Sequence, residues 1–319
     1  MISKFPGSVI ALVRIWCWIT FPRQTIAFIL KQGRCPDPAF PVHRADKYAW
    51  RKVFDRNPLF TEVSDKLKAK SYARKRCPQV HVAQVLWTGA RAEDIPDELL
   101  SGNVVVKANH GSGWNYFVRD GNCNRADLNR VAKGWLARRF GRRHAEWGYY
   151  GVEPRLYVEE MLFEGTDPIV NEYKFHVGSG QLAFAFVRQR GPDGTRIAGA
   201  INHQGETLSG PYIGGQLSQD IAAPAEFARL CAIALKLSEE FDLVRCDLHL
   251  VGSDVYFSEL TLYSDGGFGW IDGAELNQRY TDIWDLGKSW FLRTPQSGWR
   301  RFYADALRAR LTSNGDRVD

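Results

Sequence analysis

Two clusters in this 319-residue chain have the residue types and spacing for charge chemistry. The first is Val104-Val105-Val106-Lys107-Ala108-Asn109-His110-Gly111-Ser112-Gly113-Trp114-Asn115. An apolar run that reads as a buried strand delivers a lysine, and a Gly-Ser-Gly turn follows within a few residues. An ammonium supplies a point charge, and glycine lets backbone N–H groups approach an anion without a Cβ in the way, a combination suited to phosphate. The bland alternative is a lysine that merely ends a strand before an ordinary turn.

The second cluster is Arg245-Cys246-Asp247, with Glu259-Leu260-Thr261 following twelve residues after the aspartate. Side chains repeat every two residues along a strand, so Arg245 and Asp247 share one face, and Glu259 and Thr261 share a face of the next strand. Gly252-Ser253-Asp254 reads as the hairpin turn between them. Two carboxylates brought together on neighbouring strands repel unless a cation or a shared proton lies between them, and hard oxygen ligands suit Mg²⁺ on a polyphosphate. A solvated acidic sheet face is the alternative. A phosphate-type loop in the same chain favours the metal. Between the clusters, Val158-Glu159-Glu160-Met161-Leu162 and Glu172-Tyr173-Lys174 add acidic strand ends of the kind a purine amino group or a ribose needs, or else form a surface acidic patch.

Positioning these groups requires strands. Strand patterns occur at Val104–Val106, Leu156–Val158, Tyr173–Val177, Leu182–Val187, Val244–Leu250 and Val255–Phe257, interrupted by helical patterns over Asp127–Gly141 and Pro224–Phe241. Residues up to about 103 are charged and helix-forming with little strand signal. Beyond Trp270 the chain again reads as helical, with a polar tail from Thr312. The fold class is α+β.

Hydrophobic residues make up 45% and charged residues 24%, which excludes collagen-like, disordered and disulfide-stapled chains. A formal charge of +6 is too mild to argue for nucleic acid, and it suits an anionic substrate such as a nucleoside triphosphate or an acidic sugar. Six scattered cysteines without a CxxC pair read as thiols of a reducing compartment. The run Ser8–Ile19 is apolar but broken by Arg14 and ended by Phe21-Pro22-Arg23, too short for a bilayer span. It reads either as a helix at a membrane interface or as a helix packed on the body of the protein.

The order of these motifs resembles the ATP-grasp superfamily, and specifically its TupA-like branch, associated with teichuronopeptide and other bacterial surface-polysaccharide biosynthesis. The similarity runs from about Tyr48 to Gly287. It is carried by Asp55-Arg56-Asn57-Pro58-Leu59-Phe60, Ser64-Asp65-Lys66, Lys107 to Asn115, Glu172-Tyr173-Lys174-Phe175-His176, Val244 to Asp247, and Tyr256 to Thr261. The resemblance implies an ATP-grasp fold, two α+β subdomains gripping ATP, after a mainly helical N-terminal region. Its divisions would be a helical segment over 1–45, a mainly helical region over 46–103, an ATP-grasp domain over 104–290, and a C-terminal helix and tail over 291–319. Within the ATP-grasp domain, 104–162 would be the lid-type part and 163–290 the metal-binding part.

Carried over residue by residue, the resemblance makes Lys107 and Lys66 ligands of the ATP phosphates, with the loop His110, Gly111, Ser112 and Gly113 closing over them. Glu159 and the backbone of Leu162 would hold adenine, and Glu172 would face the ribose. Asp247, Glu259 and Thr261 would hold Mg²⁺. Arg245 would stabilise charge on the transferring phosphoryl group, and Lys174 and Arg190, with Arg188 and Arg196, are candidates for the γ-phosphate or an anionic acceptor. This chain departs from the superfamily in having Thr261 where Asn is usual, Glu172 where Asp is usual, and Ser258 where Gly precedes the metal glutamate.

The implied activity is a carboxylate–amine ligase acting through an acyl phosphate, with ATP and Mg²⁺ as cofactors. Its partners would be an acidic sugar or glycan precursor and an amine donor, with no nucleic acid. The expected location is the cytoplasm, with peripheral contact to the inner face of the membrane through the N-terminal helix. A sugar kinase on the same fold and a non-catalytic glycan-binding factor remain as alternatives.

Overall fold

A computed structural model describes residues 6–163, 171–190, 195–212, 215–269 and 273–315. Its helices are α1 (Pro6–Thr20), α2 (Pro22–Gln32), α3 (Arg44–Val53), α4 (Leu59–Ser64), α5 (Lys66–Arg76), α6 (Arg125–Ala137), α7 (Phe227–Ser238), α8 (Ala274–Asp282), α9 (Trp290–Arg293) and α10 (Gly298–Gly315). Strands β1 (His81–Val82), β13 (Asp254–Thr261), β12 (Leu243–Val251), β6 (Asn171–Gly178), β7 (Gln181–Arg190), β8 (Arg196–Ile201) and β9 (Thr207–Leu208) form a seven-stranded sheet in that spatial order. A four-stranded sheet has the order β2 (Val85–Gly89), β5 (Leu156–Glu160), β3 (Val104–Ala108), β4 (Asn115–Val118). A two-strand ladder joins β10 (Pro211–Tyr212) to β11 (Gly215–Gln216).

Each sheet has its own core. Val104, Val106 and Ala108 of β3 and Leu156 and Val158 of β5 pack with Leu128 and Ala132 of α6 into a small cluster. This leaves Lys107 and Glu159 on the opposite face. The larger core packs α7 on the seven-stranded sheet, with Phe227 stacked on Phe175 at 6.1 Å, and draws in α3, α9 and α10. Here the alternation of β6 and β12 sends Phe175, Cys246 and Leu248 into the core and Lys174, Arg245 and Asp247 to the other face.

The expectation of little strand before residue 103 is corrected by β1 and β2, each an edge strand of a different sheet. In Val85–Gly89, half-buried Val85, Trp87 and Gly89 alternate with exposed Leu86 and Thr88, and the exposed leucine blurs the apolar pattern in the sequence. The four-stranded sheet therefore draws on residues both before and after position 103. Beyond 270, helices α8, α9 and α10 agree with the helical reading, although α10 continues past Thr312, whose hydroxyl donates to the Arg308 carbonyl at 3.0 Å.

Helix α3 was legible as charged and helical, but nine of its ten residues are buried. Its cations reach carbonyls at the ends of other elements. Lys47 Nζ donates to the Thr281 and Trp284 carbonyls at 2.9 and 2.7 Å. Arg51 is 0% exposed, ion-paired to Asp242 at 2.7 Å, and donates to the Leu262 and Leu243 carbonyls at 2.9 Å. A buried charge needs such partners to be tolerated. Helix α1 lies on α10, with the Trp16 and Trp299 rings 4.8 Å apart, so the packed reading of the first helix holds for that face.

Candidate active site

The antiparallel registers of β13, β12 and β6 place Glu259 opposite Asp247 and Asp247 opposite Lys174 in one row across three strands. One residue pair away, Thr261 stands opposite Arg245 and Arg245 opposite His176. A β-bulge makes the row possible. Asp247 pairs with Glu259 while Leu248 pairs with Phe257, so Ser258 is an extra residue on β13. Strict alternation would put Phe257 and Glu259 on the same face; the bulge sends Phe257 to the core and Glu259 to the charged face. The hairpin turn is Gly252-Ser253, with Gly252 at φ 58° and Asp254 already paired to Val251.

Arg245 organises the row. Its Nε and Nη2 donate to the two Asp247 oxygens at 2.7 Å each, and Nη2 also reaches Glu259 Oε1 at 3.1 Å and Thr261 Oγ1 at 3.0 Å. The Thr261 hydroxyl donates to Glu259 Oε1 at 2.8 Å, and Lys66 Nζ takes the other Glu259 oxygen at 2.5 Å. Lys174 Nζ bridges Asp247 Oδ2 at 3.0 Å and Glu172 Oε1 at 2.7 Å, and Arg188 meets Glu172 at 3.3 Å. Burial alone would raise the Glu259 carboxyl, but Lys66 and Arg245 outweigh it and hold the group well below the usual carboxylate range. Burial also opposes charge on Lys174, which Asp247 overcomes, raising its ammonium above the ordinary lysine value.

The four-stranded sheet presents a matching face. Lys107 ion-pairs with Glu159 Oε1, while Lys70 Nζ lies 2.8 Å from Glu159 Oε2. Burial would raise Glu159; Lys107 and Lys70 lower it instead. Helix α5 ties the two faces together, because Lys66 reaches the seven-stranded sheet and Lys70, one turn later, reaches the four-stranded one. Asp65 caps that helix by accepting from the Leu67 N–H at 3.0 Å, and it also accepts from Asn109 Nδ2 at 3.0 Å, which fixes the start of the loop after β3. Lys107 lies near enough to His249 to count among the charges acting on that half-buried imidazole, whose basicity is lowered chiefly by desolvation.

In the loop, Ser112 and Gly113 are exposed, and Gly113 has φ 72°. Gly111 is needed for close packing, since a Cβ there would stand 2.4 Å from the Trp114 ring. His110 is turned inward: it is buried against Trp114, and its Nε2 lies 3.2 Å from the Trp135 carbonyl. Its part is thus to anchor the loop on α6. Leu162 follows β5, and the side chain of Arg190 lies outside the described residues. Arg188 contacts Glu172, while Arg196 is exposed on β8. Sequence reasoning missed Lys70, Asp65 and Asn109 as site builders; the i,i+4 spacing of Lys66 and Lys70 on one helix face was the signal for the first.

The donor set fits Mg²⁺ bound with a polyphosphate. Asp247, 0% exposed, and Glu259 are adjacent, and Thr261 supplies a third oxygen. Among the described residues no group of three His, Cys, Asp or Glu converges as a self-sufficient metal cage. Mg²⁺ needs none when one or two carboxylates are completed by phosphate oxygens and water. Lys66, Lys70, Lys107, Lys174 and Arg245 outnumber Glu159, Glu172, Asp247 and Glu259, which favours entry of a polyanion.

The sequence matches the model of a family described as TupA-like ATPgrasp over residues 46–287. No curated protein matches it. Similar solved structures include D-alanine–D-alanine ligase from Bacillus anthracis, at 13% identity and a TM-score of 0.42, covering 70% of this chain and 67% of that one. D-alanyl-alanine synthetase A from Vibrio cholerae is similar at 10% identity and a TM-score of 0.39, covering 79% and 66%. The macrocyclase MdnC from Microcystis aeruginosa, bound to its precursor peptide MdnA, is similar at 11% identity and a TM-score of 0.38, covering 76% and 62%. The chain thus spans about two thirds of the length of each.

Proposed function

This chain belongs to the TupA-like ATP-grasp family, and on that premise we propose that it is an ATP-dependent carboxylate–amine ligase working through an acyl phosphate. The observation that carries the reading is the Glu259–Asp247–Lys174 row with Arg245 across it, facing Lys107 and Glu159. Lys107, Lys66 and the backbone of Gly111–Gly113 would bind the nucleotide phosphates, and Asp247, Glu259 and Thr261 would hold Mg²⁺. Mg²⁺, when bound, neutralises the polyphosphate and polarises the transferring group. Glu172, beside Lys174, would face the ribose. Glu159 is already neutralised by two lysines, so a direct role with adenine falls to its neighbours along β5 and to Leu162.

In the reaction an acceptor carboxylate oxygen forms a bond to the γ-phosphorus as the bond to the β-phosphate oxygen breaks. The amine nitrogen then attacks the acyl carbon, phosphate leaves, and the amine proton departs to solvent or phosphate. Arg245 would stabilise the developing phosphoryl charge, and positioning supplies most of the acceleration. The carboxylate we assign to a uronic acid of a polysaccharide precursor and the amine to an amino acid or amino sugar, the classes implied by the TupA-like resemblance.

Purified full-length protein with Mg²⁺, ATP, uronic acids and amino acids should release ADP and yield a hydroxamate with hydroxylamine. Asp247→Asn and Glu259→Gln should each cut ADP release at least about a hundredfold. No ADP from the full panel, with neither substitution having any effect, defeats the enzyme reading, and a stable phosphosugar defeats the ligase.

We also infer membrane contact through α1 and α2. No described helix is long and apolar enough to span a bilayer. However, α1 exposes Leu12 (68%), Ile15 and Ile19 (73%) and α2 exposes Ile26 and Leu30 (80%). Residues 1–36 contain five cations and no Asp or Glu. Arg14 and Arg34 are paired with Asp37 and Asp46, but Arg23 and Lys31 remain beside the exposed aliphatic side chains, a combination that suits an anionic bilayer surface. Co-sedimentation with phosphatidylglycerol vesicles that survives Ile19→Asp with Leu30→Asp unchanged would refute it.

A further inference from the structure

Beneath α1 and α2 lies a cavity of about 170 Å³ that the reaction described above does not use. Its walls are mostly apolar, contributed by Phe21, Phe28, Ala49, Val53, Trp147 and Phe268. Two cations, Lys52 and Arg56, also line it. Lys52 is buried, sits 3.9 Å over the Phe268 ring and donates to the Gly266 carbonyl at 2.5 Å. Arg56 sits 4.9 Å over the Trp147 ring. Among the described residues neither cation has a carboxylate within ion-pair distance.

Burial pushes the Lys52 ammonium down to about 7 against the pull of Glu146, so Arg56, with Arg300 adding a further positive charge nearby, is the standing cation of the cavity. Asp55, on the chain beside Arg56, has its carboxyl pushed up to about 8, first by burial and then by Asp242, so it is protonated at neutral pH. Trp147 lines the cavity with its ring, on which Arg56 rests, and its indole N–H is itself buried.

We propose that this cavity is a binding site for an amphipathic anion, an apolar body carrying a carboxylate or phosphate head. Arg56 receives the head, with the Lys52 amino group beside it as a hydrogen-bond donor. The apolar walls receive the body, and a dry cavity of about 150 Å³ is known to hold a benzene ring, so this one accepts an aromatic ring or a chain of about six to eight carbons. Tyr150, which also lines the cavity, is 48% exposed, so the chamber reaches the surface. The site stands apart from the ligase reading, because none of Lys66, Lys107, Lys174, Asp247 and Glu259 lines it. A head and a chain of this kind occur both in a soluble medium-chain acid and in an anionic lipid.

Octanoate is the probe, titrated calorimetrically into the full chain without ATP or Mg²⁺. It should bind saturably with one site, and neutral 1-octanol should bind at least about tenfold more weakly because the cations would lose their partner. Arg56→Met should weaken octanoate at least about tenfold, and Ala49→Phe, which fills the chamber, should abolish binding. The octanol comparison uses the unaltered protein, so a misfolded variant does not spoil the test. Displacement of octanoate by phosphatidylglycerol vesicles assigns the site to a lipid, and retention assigns it to a soluble acid. Absence of octanoate binding, or equal binding of octanol, overturns the proposal. Asp247→Asn should bind octanoate as the unaltered protein does, whether or not ADP is ever released.

Discussion

Arg245→Met is the sharpest perturbation of the proposed site, because it removes one guanidinium from two carboxylates and keeps most of the side-chain volume. Arg245 contacts Asp247 at 2.7 Å and Glu259 at 3.1 Å with only 15% of its side chain exposed. At an effective dielectric of about 20, charges about 4 Å apart attract by about 4 kcal/mol per pair. Lys174 stays on Asp247 and Lys66 on Glu259, and the desolvation of Arg245 is recovered. The net loss then falls near the lower end of the usual cost of about 3–5 kcal/mol for removing one partner of a buried pair. For a chain of this length, about 2 °C per kcal/mol gives a fall in Tm of about 6 °C. A divalent cation should recover part of that. In the variant Asp247 and Glu259 each keep a single lysine, so Mg²⁺ meets a more negative pair and stabilises the variant more than the unaltered protein by mass action. Differential scanning fluorimetry of both proteins, with and without Mg²⁺, reads this directly. A Tm within about 1 °C of the unaltered protein, or an equal Mg²⁺ shift in both, refutes the idea that Arg245 holds the place of a cation.

Lys70→Met should leave Glu159 with Lys107 alone, lower stability by about 2–3 kcal/mol in urea titration, and raise KM for ATP more than it lowers kcat. Gly267→Ala should cost at least about 2 kcal/mol by the same measurement, since φ there is 75° and a Cβ would stand 2.9 Å from that of Tyr48. Asp55 gives a pH test. Its carboxyl, 0% exposed and pushed up to about 8 by burial and Asp242, binds a proton in the folded chain that the unfolded chain has released. Stability from this group is full below the ordinary carboxylate range and is lost, at about 1.4 kcal/mol per pH unit, as pH climbs toward 8. Asp55→Asn should flatten that part of the profile between pH 6 and pH 8, and an unchanged slope refutes the assignment.

Most strands that carry the charged groups were legible because each holds a run of apolar residues with partners in a core. Val104-Val105-Val106-Lys107, Tyr173 to Val177 and Val244 to Leu250 each send one set of side chains to a core, and all three emerge as strands. The short edge strands β1 and β2 were not legible, since their neighbours in the sheets come from residues up to 175 positions away and the segments themselves are half-exposed. Helix α3 shows the opposite failure. Its lysines and arginines look like a solvated face, yet Arg51 and Lys47 are buried on carbonyls contributed by residues 243–284. Local sequence holds no record of those acceptors.

The same division runs through the site. Pairing of Asp247 with Glu259 was readable from the hairpin, but strict alternation back from Glu259 would have turned Phe257 out of the core, and only the bulge at Ser258 satisfies both residues. Ser258 is small, polar and half-buried, which suits such an irregularity. A polar, small side chain keeps the irregularity at a position that is neither core nor ligand. Ser258 therefore bears on strand geometry, and through it on the distance between the two carboxylates. Replacing Ser258 with Gly should leave the Asp247–Glu259 pairing in place. Deleting it removes the extra residue, forces Phe257 or Glu259 to the wrong face, and should abolish both the folding transition and ADP release. A deletion variant that keeps both would show that the bulge does not set the row.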